Sequence, residues 1–518
     1  MAVLVVAVGF VWRLSLAQAT FFNTDEAWHY YLGNQSSAWL AYQASLTISH
    51  PPLLILILHF WKVLGTSNLV LRLPGVIAGT LFCWIFYLWL EAVAGKAAAW
   101  VGLILATFLG PLITTSAEVR QNPFLLLLAM AAAWFLERGL ARDSVQDMLA
   151  SSLCLCLAML AHYSAFFIAG ALGIYGVARI VPRPPSRPAL WIWLAGQAAG
   201  VALAAFLYRT HLGRLSSLMS EWRLPQEYLR GSYFHQGTDH LEDFLYRGTF
   251  GVFRFIFGQT QMGQLAAVLF VAGIILLFLR SEPRSHVPSR ALAMVLFLPF
   301  LLNWLAAAAG EYPYGRMRQC MFLAIFALAG VSICLSWIAK EKIIPAAALA
   351  IGVVVWCHAF GTQQDRDALP LAEQRHQHMD QMISFIRSNV GRNDLILTDQ
   401  ATSFQLRHYL CNQNAVRIET LPRGFESFYC EGFRVVFTGP SDGALTASKL
   451  DARWRNADGQ LDLTAAATHL WAVQGGWATG LGQDLQRLPW LSNVEVHCFG
   501  RYLEVFRLPD RPVRPAQG

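Results

Sequence analysis

Long runs of apolar residues, separated by short polar segments, fill residues 1–362 of the chain. A membrane-spanning helix needs about 20 mostly apolar residues. The run 51–65 is shorter, begins with two prolines and contains His59 and Lys62, so we expect it to lie in the membrane interface without crossing. Eleven other runs are predicted to cross a membrane: 2–20, 69–91, 97–116, 122–140, 148–163, 165–181, 189–210, 262–280, 291–309, 319–338 and 343–361.

Basic residues distinguish the two ends of these predicted spans. If the N-terminus lies inside, an odd number of crossings puts the C-terminal residues outside, on the same side as Asp25 and Glu26. Counting 51–65 as a crossing would instead place the basic loops outside, against the positive-inside rule. The loops then predicted to face the cytoplasm contain Lys96, Arg138, Arg142, Arg179, Arg183, Arg187, Arg280, Arg284, Arg290, Lys340 and Lys342.

The C-terminal residues have the pattern of a water-soluble domain. Helical periodicity appears in 372–390 and in 402–410, where Thr402 or Ser403 is the predicted N-cap. Alternation of helices and short strands predicts a small α/β domain. The strands are predicted at 394–399, 433–439, 470–476 and, as one strand or two, 494–508.

Composition supports this division into two parts. The chain of 518 residues is 55% hydrophobic and 14% charged, whereas soluble domains carry about 25% charged residues. We therefore expect a polytopic α-helical membrane domain over 1–362 and an extracytoplasmic α/β domain over 363–518. The net charge of +7 does not indicate a nucleic-acid partner, because the basic residues lie in short loops between apolar runs.

Two further features bear on processing and redox state. The first apolar run has no basic segment before it and is interrupted by Arg13, so it is expected to be a retained helix and not a cleaved signal. Three of the nine cysteines, Cys411, Cys430 and Cys498, lie in the C-terminal domain. In an extracytoplasmic domain they allow one disulfide and leave one thiol.

Asp25 and Glu26 follow the first apolar run directly, in the stretch FFNTDEAWHYY (21–31). A charged pair is costly in lipid, so it is expected in the first outer loop. Adjacent carboxylates at a membrane face can accept a proton or bind a cation, although a solvated loop is the alternative. His50 precedes two prolines that fix the backbone, either near these acids or as an interfacial residue that caps the segment.

Glu118 and Arg120 lie two residues apart in TTSAEVRQNPF (114–124), also on the predicted outer side. An outer arginine departs from the positive-inside trend, and its fork of donors suits phosphate oxygens. A plain turn between two spans is the alternative.

A second group of arginines has the same predicted location. Arg316 and Arg318 occur with Tyr314 in GEYPYGRMRQ (310–319), and Arg72 begins another span. These arginines suit an anionic lipid headgroup. The alternative is an interfacial Arg/Tyr anchor.

Five short stretches resemble, in their order and spacing, the motifs of the C-type glycosyltransferase (GT-C) superfamily. The chain is most similar to the branch of protein O-mannosyltransferases and the aminoarabinose transferase of lipid A. The resemblance covers residues 10–362 and continues into the soluble tail that many bacterial members carry. The matching stretches are TDEAWHYY (24–31), SHPPLL (49–54), LRLPG (71–75), SAEVRQNPF (116–124) and YPYGRMRQ (312–319).

The resemblance implies a hexosyl- or pentosyltransferase that takes its sugar from a polyprenyl-phosphate donor, such as undecaprenyl phosphate, at the outer membrane face. Transfer in this superfamily usually inverts the anomeric carbon, and the acceptor is protein Ser/Thr, lipid A or a cell-surface glycan. By the same resemblance, Asp25 would deprotonate the acceptor and Glu26 would orient it or the sugar. Arg120, with Arg316 or Arg318, would hold the donor phosphate as it leaves.

The remaining candidate residues take their roles from the same resemblance. His50 would line the cavity, and Arg72 and Tyr314 would contribute to substrate binding. Glu118 sits where related enzymes place a second acid. Some superfamily members bind a divalent cation with such acids and others need none, so Asp25 and Glu118 are candidate ligands for Mg²⁺ or Mn²⁺. The implied location is a bacterial inner membrane, with the active site facing the periplasm.

Two other classes of function remain open at this point. A polyprenyl-lipid transporter or flippase would place ionisable groups in mid-membrane and often shows repeated halves, whereas the charges here favour helix ends and no repeat is visible. A non-catalytic lipid-binding protein of the same fold is the other alternative. The presence of Asp25 argues against it.

Overall fold

The protein consists of two compact units. The helical unit comprises Met1–Ala17, Ser36–Lys62 and Leu69–Pro370, and the sheet unit comprises Gln18–Gln35, Val63–Asn68 and Leu371–Gly518. The sheet unit thus includes two short segments from the N-terminal part of the chain. A computed structural model describes residues 1–214, 229–279, 287–361, 374–411, 418–421, 425–438, 469–475, 494–500 and 503–508.

The described residues form eighteen α-helices. Through residue 207 these are α1 (Ala2–Ala19), α2 (Thr24–Gly33), α3 (Ala38–Ser45), α4 (Leu53–Trp61), α5 (Asn68–Ala94), α6 (Lys96–Phe108), α7 (Gly110–Ser116), α8 (Asn122–Arg142), α9 (Val145–Ala161), α10 (Ala165–Ile180) and α11 (Arg187–Leu207). The later helices are α12 (Leu241–Phe257), α13 (Thr260–Leu279), α14 (Ser289–Ala308), α15 (Ala324–Ile338), α16 (Ile343–Ala359), α17 (His376–Asn389) and α18 (Gln400–Tyr409).

Every one of the eleven predicted spans coincides with a helix or a pair of helices. Among the described residues, seven helical segments are long and apolar enough to cross a membrane, and the bent pair α6–α7 adds an eighth if it is one span. The other three are the shorter apolar helices α9, α10 and α16. The run 51–65 forms α4 and a 3₁₀ turn, Lys62–Leu64, which together are too short to cross. The polytopic helical fold is therefore confirmed.

The predicted span 97–116 is broken into α6 and α7, which meet at an angle of 58°. Pro111 causes the break, because it has no N–H to donate to the carbonyl of Thr107. The buried guanidinium of Arg13 donates instead, to the carbonyl oxygens of Thr107 at 3.0 Å and Ala106 at 3.1 Å. An arginine in the first span thereby satisfies backbone groups that the proline exposes.

The amphipathic helix α12 lies in a stretch that the sequence analysis treated as an outer loop. Its buried face includes Gly248, Val252, Phe253 and Phe257, and polar residues such as Arg247 occupy the rest of its surface. Because apolar and polar residues alternate along α12, its average hydropathy is low, and a search for continuous apolar runs does not detect it.

The sheet unit contains a seven-stranded mixed sheet in the order β2-β3-β4-β1-β5-β7-β6. The central strand β1 pairs in parallel with β4 and β5, and the other pairs are antiparallel. The strands are β1 (Leu395–Thr398), β2 (Glu419–Leu421), β3 (Phe425–Cys430), β4 (Phe433–Thr438), β5 (Leu470–Gly475), β6 (Glu495–Cys498) and β7 (Leu503–Leu508). The predicted α/β class of this domain is confirmed.

Alternate side chains of β1 enter different cores. Ile396 packs with residues of α17 and α18, whereas Leu395 and Leu397 pack on the opposite face of the sheet. Burial on both faces explains why β1 reads as a continuous apolar run.

Details of the sheet unit confirm one expectation and correct another. The three cysteines allowed one disulfide with undecided partners; Cys411 and Cys430 form it, and Cys498 is a free thiol. The predicted N-cap of α18 is wrong, because the carboxylate of Asp399 accepts the N–H of Thr402 at 2.6 Å.

Candidate active site

Two arginines converge on one buried carboxylate in the helical unit. Glu118 lies in the turn between α7 and α8; its Oε2 is 3.1 Å from Arg120 Nε and 3.3 Å from Arg318 Nη1. The side chains of Glu118 and Arg120 are only 3% and 7% exposed, whereas that of Arg318 is 26% exposed. We call these three residues the arginine cluster. Guanidinium groups offer several donors in a fixed plane, an arrangement that suits the oxygens of an anionic ligand.

Backbone packing holds the turn that carries Glu118. A side chain on Gly75 of α5 would place its Cβ 3.1 Å from the carbonyl oxygens of Ser116 and Glu118, so only glycine allows this approach. At the start of α8, Asn122 donates from Nδ2 to the carbonyl of Arg318 at 3.2 Å. This bond joins the 116–124 turn to the segment after the YPYG loop. The structure therefore brings together three of the predicted site residues, Glu118, Arg120 and Arg318.

The YPYG loop lies on α12. The buried hydroxyl of Tyr314 is 2.9 Å from Thr249 Oγ1 and accepts the indole N–H of Trp304 at 2.6 Å. A Cβ on Gly248 would fall 2.4 Å from the Tyr314 ring, so α12 needs glycine at this point of contact. Burial raises the pKa of Tyr314, which keeps the phenol neutral. The position of Tyr314 is that of a loop anchor, and its role toward substrate stays a prediction.

Two other predicted arginines occupy separate places in the helical unit. Arg316 is half-buried, and its backbone lies so close to Gly251 that a Cβ there would be 2.9 Å from Arg316 N. Arg72 is fully buried and donates to the carbonyl of Ala17 at 2.7 Å, near the end of α1. This bond satisfies a helix-terminal carbonyl. The substrate-binding roles of both arginines stay predictions.

His50 lies beside a second histidine, His162, at the end of α9. The rings of His50 and His162 are 5.5 Å apart. Nδ1 of His162 accepts the backbone N–H of Ser164 at 3.1 Å, so the neutral ring carries its proton on Nε2. Burial lowers the pKa of His162 to about 4. His162 is therefore a neutral hydrogen-bond donor in the physiological range of pH.

In the sheet unit, the acidic pair begins α2 as part of a capping box. Asn23 Oδ1 accepts the N–H of Glu26, and Glu26 Oε2 accepts the N–H of Asn23, both at 3.0 Å. Glu26 is completely buried, whereas Asp25 is half-buried at the second position of the helix. The positive end of the helix dipole stabilises a negative charge at this position. The two acids thus differ: Glu26 is fully buried and binds the backbone at the helix start, whereas Asp25 is half-buried.

The described residues do not fit the predicted divalent-cation site. Among them, no group of three or more His, Cys, Asp or Glu side chains is arranged to hold a metal. Glu118 is engaged by Arg120 and Arg318, and two guanidinium groups at a carboxylate oppose a cation there. We therefore derive no step through a metal.

The structural role of Glu26 could have been found from a local sequence signal, whereas that of His162 could not. The pattern Asn23-x-x-Glu26 is a capping-box signature, which assigns Glu26 to the helix start. His162 carried no comparable signal, because its tautomer depends on the local path of the chain at Ser164.

Comparison with known families and structures agrees with this geometry. The model of the dolichyl-phosphate-mannose-protein mannosyltransferase family matches residues 49–208. ArnT from Cupriavidus metallidurans in the apo state is 13% identical, with a TM-score of 0.54, covering 98% of this chain and 97% of that chain. The chain has the fold of a C-type glycosyltransferase. The resemblance predicted from five short motifs is confirmed.

Other matches to this C-type glycosyltransferase fold differ in extent. ArnT from Cupriavidus metallidurans bound to undecaprenyl phosphate has a TM-score of 0.52 and 13% identity, covering 100% of this chain and 98% of that chain. The oligosaccharyltransferase of Archaeoglobus fulgidus tethered with an acceptor peptide has a TM-score of 0.46 and 12% identity over 79% of this chain. The present chain spans 63% of that protein's length, and a similarity this distant carries no argument. No curated protein sequence matches the chain.

The partial family match and the C-type glycosyltransferase fold together support an integral membrane glycosyltransferase. The identity of the donor, the acceptor and the reacting residues goes beyond these similarities.

Proposed function

We propose that the protein transfers a hexose or pentose from a polyprenyl-phosphate donor to a protein, lipid or glycan acceptor at the outer face of a bacterial inner membrane. The observation that carries the proposal is the arginine cluster. Its two guanidinium groups lie within 3.3 Å of one buried carboxylate, which holds them in a fixed arrangement. A polyprenyl-phosphate sugar ends in a phosphate that needs neutralisation when it leaves.

Within this proposal, Arg120 and Arg318 bind the donor phosphate. Glu118 fixes both guanidinium groups before the ligand arrives, so little reorganisation is needed during the reaction. The exposed part of Arg318 gives the phosphate a path to the cluster. Arg316, His50, Arg72 and Tyr314 are proposed to line the remainder of the substrate site.

Asp25 is the proposed general base. It is half-buried at the start of α2, beside a Glu26 carboxylate whose Oε2 accepts the N–H of Asn23. Asp25 would take the proton of the acceptor hydroxyl while the acceptor oxygen attacks the anomeric carbon and the bond to phosphate breaks. The phosphate leaves with the bonding electron pair, which the arginines stabilise. The ArnT structure with undecaprenyl phosphate supports a lipid phosphate of this class as the carrier.

Release of polyprenyl phosphate by purified protein tests the proposal. The wild type is supplied with a panel of polyprenyl-phosphate sugars and an acceptor-rich membrane extract, with and without EDTA, and is compared with Asp25→Asn. We expect release by the wild type, and a loss of about 10²–10⁴-fold in Asp25→Asn, the usual contribution of a general base.

Asp380→Asn is the matched control, because Asp380 is an exposed carboxylate on α17 whose side chain is 65% exposed. It should retain wild-type release. Equal release by wild type and Asp25→Asn would remove Asp25 as the base. Absence of release with every donor would refute the transferase itself, and inhibition by EDTA would contradict the metal-free site.

A further inference from the structure

The segment that leads into the acidic pair is attached to the C-terminal part of the sheet unit by its backbone. Thr20 and Arg375 form an antiparallel bridge, and Phe21 donates its N–H to the carbonyl of Gln374 at 2.9 Å. These contacts join residues more than 350 positions apart in the sequence. The position of the acidic segment is therefore set by the C-terminal residues as well as by α1.

Helix α18 binds both polar groups of the next residue, Phe22. The N–H of Phe22 donates to the hydroxyl of Tyr409 at 2.6 Å, and its carbonyl accepts Nε2 of Gln405 at 3.1 Å. The Phe22 ring stacks on His408, with 4.7 Å between centroids. Phe22 is the residue before the helix cap Asn23, so fixing its peptide groups fixes the direction in which α2 starts.

Tyr409 and His408 of α18 also bind Asn68, which belongs to the second N-terminal segment of the sheet unit. Asn68 donates from Nδ2 to the hydroxyl of Tyr409 at 2.7 Å, and its Oδ1 lies 2.9 Å from His408 Nε2. Tyr409 is thus the common acceptor for Phe22 and Asn68. Both segments from the N-terminal part of the chain meet at one phenol of the C-terminal domain.

Further along α2, aromatic contacts extend the attachment. Trp28 stacks on Phe404 with 5.8 Å between centroids, and the guanidinium of Arg407 lies 4.9 Å from the ring of Tyr31. Helix α2 is therefore held by α18 at its start and along one face.

We infer that the C-terminal domain is the element that positions Asp25, with Tyr409 as its principal positioning residue. The inference rests on the proposed function, because it assumes that Asp25 is the base. Asp25 lies three residues after Phe22, and the capping box joins the two rigidly. A shift of about 1 Å in a reacting group can cost 10²-fold in rate. The domain thereby acts on catalysis through the position of Asp25.

The test is Tyr409→Phe, which keeps the aromatic ring and removes the acceptor for Phe22 and Asn68. We expect kcat for polyprenyl-phosphate release to fall by about tenfold or more while KM for the lipid donor stays constant, because orientation of the base is lost and donor binding is not. Hydrogen exchange at the Phe22 amide should become faster. Tyr429→Phe is the matched control, since Tyr429 is 54% exposed on β3, and it should behave as wild type.

A rescue experiment separates positioning from general stability. Opposed residues of an antiparallel bridge lie at a distance that a disulfide can span, so Thr20→Cys with Arg375→Cys should fix the segment covalently. Added to Tyr409→Phe, the oxidised pair should restore kcat, and reduction should abolish the gain. Tyr409→Phe alone, reduced in parallel, accounts for effects on the native disulfide.

The outcomes distinguish this inference from the proposed function. An inactive wild type would refute the proposed function and the positioning of a base with it. An active wild type with unchanged kcat and unchanged Phe22 exchange in Tyr409→Phe would overturn the inference alone. If Tyr409→Phe fails to fold, Gln405→Ala, which removes the donor to the Phe22 carbonyl, is read in the same way. A fall in kcat that the disulfide does not restore would also overturn it.

Discussion

Glu118 in the helical unit and Glu26 in the sheet unit are both buried carboxylates beside a residue with a proposed part in the reaction, yet different partners hold them. Glu118 is held by the guanidinium groups of Arg120 and Arg318. Glu26 is held by the backbone N–H of Asn23. The first carboxylate is fixed by opposite charge, and the second by the geometry of a helix start.

The difference separates two ways of preparing a reacting side chain. An ion pair arranges Arg120 through its charge, so it should fail when that charge is removed. A capping box needs only an acceptor of the right length, and Gln serves there as well as Glu. Neutral substitutions at the two sites therefore have different expected effects.

Arg120→Gln should have the largest effect, because it removes the charge that Glu118 holds in place. We expect kcat/KM for the lipid donor to fall by about 10²–10³-fold, the usual cost of losing one donor to the developing negative charge. Measurement of polyprenyl-phosphate release over a range of donor concentrations gives this ratio.

Arg120→Lys is the matched variant for this experiment. It keeps the charge and loses the planar fork, so its activity should lie between wild type and Arg120→Gln. If Arg120→Gln turns over donor as fast as wild type, the arginine cluster does not bind the phosphate.

Glu118→Gln and Glu26→Gln compare the two regions directly. Glu118→Gln leaves the buried Arg120 and the partly exposed Arg318 without their shared carboxylate and should lower the free energy of unfolding by about 3 kcal/mol. Glu26→Gln keeps the cap and should cost about 0.5 kcal/mol or less. Thermal unfolding in one detergent measures both. Equal losses of unfolding free energy in the two variants would show that the negative charge contributes equally at both carboxylates.

His162 extends the comparison to acid, with the smallest expected effect. Burial lowers its pKa from 6.5 to about 4. Between these two pH values, His162 is protonated in the unfolded chain and neutral in the folded chain. Its stabilising contribution is therefore complete above pH 6.5 and declines as the pH falls toward 4, by up to about 1.4 kcal/mol per pH unit.

Unfolding at several pH values checks this sign. His162→Gln should reduce the slope between pH 6.5 and 4, whereas His240→Gln, at an exposed position before α12, should leave it unchanged. An identical slope in both variants would mean that other groups cause the acid sensitivity.

Much of the helical unit could be predicted because lipid imposes a simple rule on the sequence. Long apolar runs gave all eleven span positions, and the break between α6 and α7 follows from Pro111. Helix α12 could not be found in this way, since its apolar residues are periodic and not continuous. Continuous apolar runs identify helices that are buried in lipid, whereas an amphipathic helix such as α12 is identified by the helical period of its apolar residues.

The candidate site was predictable in its residue types but not in its partners. The motif around Glu118 and Arg120 indicated an anion site, and Arg318 was among the predicted ligands. The attachment of Phe22 to Tyr409 spans 387 positions, and no local pattern specifies such a contact. Strand β2 was also missed, because three residues offer too little alternation to recognise.

Arg13 imposes an order on the biosynthesis of the helical unit. The carbonyl groups of Thr107 and Ala106 that its guanidinium needs are made 94 and 93 residues later. An arginine at the centre of a membrane helix costs about 2.5–3.5 kcal/mol on insertion. Most of the carbonyl acceptors of this guanidinium are therefore absent until α6 has been translated.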